Sequence, residues 1–88
     1  FWERDVVMTA AAAANAVPVA EFTLAALIFG LKRVLPLARD QRDGGAWPGD
    51  HAAIPGCHGT VVGLVSYGLI ARRVRALLRA LDVRVLVH

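Results

Sequence analysis

The tightest constraint on this chain is a change of hydrophobic period across residues 60–88. Val61, Val62, Gly63, Leu64 and Val65 form an apolar run rich in β-branched residues. Ser66, Tyr67 and Gly68 follow as a turn. A helical pattern comes next. With Arg72 set at 0° and 100° per residue, Arg75 and Arg79 fall at about 300° and 340°, so three arginines share one face. Ile70, Val74, Leu77, Leu78 and Leu81 fall between about 140° and 240°, on the opposite face. A second apolar run occupies residues 83–87. The order is strand, tight turn, helix, strand: one βαβ unit. Both runs are almost wholly apolar, which predicts parallel strands buried on two faces.

The turn carries the chemistry. Ser66, Tyr67, Gly68, Leu69, Ile70 and Ala71 lie in the register of the dinucleotide fingerprint G-x-G-x-x-G/A. Gly68 takes the second glycine position, where a missing side chain lets a pyrophosphate approach the backbone. Backbone N–H groups at the helix start, with the helix dipole, would hold the phosphates. Ala71 is an accepted third residue. Ser66 departs from the first glycine, so a strained or re-routed turn is expected. On these residues alone, the alternative is a strand–helix turn in another α/β domain that binds nothing.

The chain has 88 residues, enough for one small domain. It begins at Phe1 and stops at His88, at what reads as the end of a parallel strand lacking neighbours. It therefore reads as a piece of a longer protein, with a truncated α/β fold: one long helix plus one βαβ unit of a Rossmann-like dinucleotide-binding fold. A hydrophobic share of 57% excludes a disordered tail. The net charge is +3, most of it arginine on a helix face that reads as solvated surface. Aromatic residues are few and not interleaved with basic ones, so no nucleic-acid partner is expected. Cys57 is the single cysteine, which fits a reducing cytoplasm. No secretory signal is visible.

Residues 1–17 read as a connection. Val6, Val7 and Met8 suggest a short strand. Five alanines at 10–14 favour helix, but Pro18 disfavours a helical Val17, so helix entry is expected near Pro18. Residues 18–43 then read as one long helix, apolar at nearly every angle apart from a narrow stripe of Glu21 and Lys32. Such a helix is buried between two surfaces or lies in a membrane. The uninterrupted apolar run 22–31 is 10 residues long, against about 20 for a span, so a second subunit rather than a membrane is the expected partner. Pro36 is expected to kink the helix, with residues 39–43 an exposed charged tail. Residues 44–59 read as a loop broken by Pro48 and Pro55. Its His51, Cys57 and His58 match no zinc spacing, so no metal is expected. Cys57 and His58 do not read as a nucleophile pair either: adjacent side chains point apart, and no orienting third group is evident.

Asn15, Ala16, Val17, Pro18, Val19, Ala20 and Glu21, followed by a long helix, Trp47, a loop and the 60–88 unit, resemble the D-isomer-specific 2-hydroxyacid dehydrogenases, the actinobacterial members in particular. The N-x-x-x-V-A-E element is more specific than the glycine turn, and the likeness covers essentially the whole chain. It implies two Rossmann-like domains with the active site between them. This chain would then supply the crossover helix and the first βαβ unit of the NAD-binding domain. It implies a homodimer, with the long helix at the subunit interface. It implies hydride transfer between NAD and a 2-hydroxy or 2-oxo acid. By this likeness Ser66, Tyr67, Gly68, Leu69 and Ile70 contact the NAD pyrophosphate. Asn15 matches an asparagine beside the substrate in formate dehydrogenase-like members; a polar cap before the helix is the alternative. Two residues depart from the family: Ser66 replaces a glycine, and Leu69 stands where arginine is common. The family's catalytic arginine, glutamate and histidine fall beyond His88, so residues 1–88 alone are expected to lack activity. The acid that binds the ribose hydroxyls falls at or just after His88. An Asp or Glu there, and a preference for NAD, are expected, while His88 itself at most stacks on or hydrogen-bonds the ribose edge. A second function class stays open: a non-catalytic nucleotide-binding or dimerisation module, a degenerate relative.

Overall fold

In the computed structural model, residues 2–44 and 54–88 are described; Trp47, Pro48 and His51 lie outside them. A 3₁₀ turn at Trp2–Arg4 is followed by α1 (Ala12–Leu31), α2 (Val34–Arg42), β1 (Val61–Leu64), α3 (Leu69–Leu78) and β2 (Arg84–Val87). The chain is a small α/β fold with a two-stranded parallel sheet. Val61, Val62, Gly63 and Leu64 pair with Arg84, Val85, Leu86 and Val87.

The amphipathic stripe of α3 packs inward at its centre, though Ile70 at its start is exposed and Leu81 lies just past its end. Val74 and Leu78 are 2% and 1% exposed and share one cluster with Val62 of β1 and Ala20 of α1. Leu24, Leu27, Leu64, Leu77, Leu81, Val83 and Val85 pack around them. Burying a side chain such as Leu78 contributes about 2 kcal/mol. Ala20 is fully buried where α1 meets α3; its small side chain lets the two helices approach.

Burial of the strands on two faces is not what the fold provides. Val62 is buried and Leu64 and Val85 half-buried, but Val61, Val65, Leu86 and Val87 are exposed. The helices cover one face of the sheet, and the other stays open. Among the described residues, neither strand has a neighbour on its outer side.

The helical region also differs from expectation. α1 begins at Ala12 and carries Pro18 inside it. The alanine run's helix propensity, with Ala16 buried, outweighs the local penalty at Val17. Residues 18–43 are not one helix. α1 stops at Leu31, Arg33 takes the left-handed conformation (φ 54°, ψ 38°), and α2 starts at Val34. Pro36 accounts for the position of the break. Its ring clashes with the carbonyl four residues back, at Lys32. Pro36 itself lies in the first turn of α2, where no helical N–H bond is lost. Residues 6–11 have no regular structure, so Val6–Met8 is not a strand, and these residues are exposed.

The ten-residue count set against a membrane span does not describe the folded helix. α1 has 20 residues with Glu21 as its one charged residue, long and apolar enough to cross a membrane by length and composition. Most of it, including Phe22, is exposed.

Candidate functional site

The turn between β1 and α3 is set by backbone hydrogen bonds to the end of β2. The His88 N–H donates to the Leu64 carbonyl at 2.9 Å, and the Ser66 N–H donates to the His88 carbonyl at 2.9 Å. Ser66 has φ 69°, in the left-handed region. The first fingerprint position thus has the backbone geometry that favours glycine, and serine occupies it with strain of about 1 kcal/mol. Gly68 precedes α3 in an extended conformation, and its carbonyl accepts the Arg72 N–H at 3.0 Å. No side chain caps α3, and its first turn has no acidic residue. A Cβ added at Gly68 would meet no atom of the chain within 4 Å. Neither backbone nor packing therefore requires glycine there.

A groove of about 510 Å³ runs beside this turn. Its walls come from α1 (Ala12, Asn15, Thr23), from the end of β1, and from Ser66, Gly68, Leu69 and Ile70 at the start of α3. Thr23 donates its hydroxyl to the Val19 carbonyl at 2.7 Å, so that group serves its own helix. Asn15 and Ser66 supply the other polar side chains of the lining. Asn15 stands one turn inside α1, which Ala11 precedes without a side-chain cap. The cap reading of Asn15 is thereby removed.

Of the residues expected at the site, Asn15, Ser66, Gly68, Leu69 and Ile70 line one groove; Tyr67 and His88 do not. Tyr67 lies on the arginine face of α3. Its hydroxyl accepts a hydrogen bond from Arg75 Nη1 at 3.0 Å. The guanidinium carbons of Arg72 and Arg75 lie 5.6 and 5.7 Å from its ring centre. His88 is exposed at the end of β2. No family model matches the chain, and no curated protein or solved structure matches it.

Two features escaped the sequence reading. His58 does have an orienting group: its Nδ1 lies 3.2 Å from Asp82 Oδ2, with both side chains exposed. Cys57 is a half-buried free thiol. Among the described residues no cluster of three His, Cys, Asp or Glu side chains could hold a metal ion. The second feature is another groove of about 530 Å³, between α1 and α2, lined by Phe22, Ala25, Ala26, Phe29, Leu35 and Pro36. The turn groove was not legible beforehand because it depends on how α1 crosses α3. The Tyr67 contacts had a faint signal, since Arg72 and Arg75 share a helix face just beyond it.

Proposed function

We propose that this chain is the nucleotide-binding part of an oxidoreductase that transfers hydride between a nicotinamide dinucleotide and a 2-hydroxy or 2-oxo acid. The fold in this reading is part of a Rossmann-like domain. The observation that carries it is the single groove into which Asn15 of α1 and the turn residues Ser66, Gly68, Leu69 and Ile70 converge. A pyrophosphate would sit at the uncapped start of α3, against N–H groups that no side chain engages and in the favourable field of the dipole. The nicotinamide end would extend toward Asn15. The adenosine would extend the other way, over Ser66 and the end of β2. The dinucleotide supplies the hydride chemistry; this chain's residues bind and orient it. A homodimer is part of the same proposal, supported by the apolar groove between α1 and α2 and by the exposed Phe22 and Phe29.

The test is Gly68→Val, followed by NADH fluorescence and urea denaturation. A Cβ at Gly68 meets open space in the free chain, so stability should stay within about 1 kcal/mol of the parent. NADH affinity should fall at least tenfold, because the added branch occupies the path of the pyrophosphate. Undiminished NADH binding by the folded variant, or none by the parent chain, would overturn the proposal.

A further inference from the structure

The arginine face of α3 was expected to be solvated surface. The side chains are more organised than that. Arg72 and Arg75 both lie against the ring of Tyr67, and Arg75 also donates to its hydroxyl. Two guanidinium groups three residues apart on one helix repel each other. Among the described residues, no carboxylate lies within ion-pair distance of either. Residues 60–88 hold five arginines against the single acid Asp82, which faces His58. Positive charge is thus gathered around one half-buried aromatic ring with no counter-charge.

The position of the cluster narrows what anion it suits. Tyr67, Arg72 and Arg75 lie outside the groove that holds Asn15. Their face of α3 is opposite to Val74 and Leu78, which pack into the core. Tyr67 directly precedes Gly68, so its hydroxyl is one side-chain length from the start of α3. Ser66, beside it, is bonded to His88 at the end of β2. In the dinucleotide reading, with the nicotinamide toward Asn15 and the adenosine over the end of β2, the arginine cluster would fall on the adenosine side. One ribose separates the pyrophosphate from any 2′-phosphate, a span similar to the reach of Tyr67.

We propose that Tyr67, Arg72 and Arg75 form a subsite for a phosphate monoester, the 2′-phosphate of a bound NADP. The proposal rests on the dinucleotide reading above and refines it. An acid expected just after His88 would favour NAD, whereas the side-chain geometry of α3 favours the phosphorylated form. Arginine is suited to this task because its planar fork donates two parallel hydrogen bonds to phosphate oxygens. The tyrosine ring holds both forks in place before the anion arrives.

Calorimetric titration of the full 88-residue chain tests this, with adenosine 2′,5′-bisphosphate, 5′-AMP and inorganic phosphate as probes. The bisphosphate should bind about tenfold more tightly than 5′-AMP. Arg72→Ala with Arg75→Ala should erase that difference and leave 5′-AMP binding intact. Tyr67→Phe keeps the fold and both arginines, and should shrink the difference. Equal binding of the two nucleotides by the parent chain would overturn the subsite while leaving the dinucleotide reading in place. So would inorganic phosphate occupying the arginines with no preference between nucleotides. Failure of both nucleotides to bind would overturn the subsite and the dinucleotide reading together.

Discussion

Ser66 and Gly68 show how differently two fingerprint positions are constrained. Ser66 occupies the left-handed region at φ 69° with an exposed side chain. Ser66→Gly removes the clash between Cβ and backbone but gives the unfolded chain more freedom. A net gain of at most about 0.5 kcal/mol is expected in urea denaturation. A loss would mean that the serine side chain makes a contact of its own. Gly68 carries no such strain, and a side chain there would face open space. The candidate residues on the turn were legible because the fingerprint is contiguous in sequence. The placement of Asn15 beside them was not, since fifty residues separate it from Ser66 and only packing joins them. The Tyr67 side chain was expected at the phosphates, yet the two arginines beyond it draw it to the outer face of α3.

At the level of elements, the 60–88 unit was readable almost to the residue. Its strands change to helix at a turn, and α3 hides Val74 and Leu78 of its stripe and half-buries Leu77, while Ile70 stays exposed and Leu81 falls past its end. The first half was harder because neither proline acts where the sequence would place its effect. Pro18 remains inside α1, without an N–H to bond the Ala14 carbonyl. Pro18→Ala should raise stability by about 2–3 kcal/mol, with a matching rise in helicity by circular dichroism. Pro36 exerts its clash one turn upstream, so the break falls at Lys32 and Arg33. Arg33 then occupies the left-handed position after a helix end, where glycine is usual. Arg33→Gly should stabilise the chain by about 1 kcal/mol, seen as a higher urea midpoint. Where α1 meets α3, Ala20 leaves no room. Ala20→Leu should cost about 1–3 kcal/mol, with α1 moved off α3 and the turn groove widened.

For the whole molecule, the imbalance is between core and surface. Among the described residues, the buried apolar ones are Ala16, Ala20, Val62, Val74 and Leu78. The accessible surface is 7025 Å², against about 5,000 Å² for a folded monomer of this mass. The radius of gyration is 18.6 Å, where about 12 Å is typical of a compact domain of this length. Exposed Phe22, Phe29 and Leu35 favour association of the chain. Sedimentation velocity should show a species heavier than the monomer at tens of micromolar. A well-folded monomer throughout would contradict this. Phe22→Glu should shift the distribution toward monomer without lowering the signal of α3. The open sheet adds a different consequence. When β2 of one copy joins the β1 edge of another, a fresh β1 edge is left outside, so this head-to-tail addition contains no step that closes it. Arg84 gives β2 a charged residue, while β1 has none. Left uncovered, the β1 side permits either a twofold pair, which ends there, or head-to-tail addition, which lengthens for as long as chain is supplied.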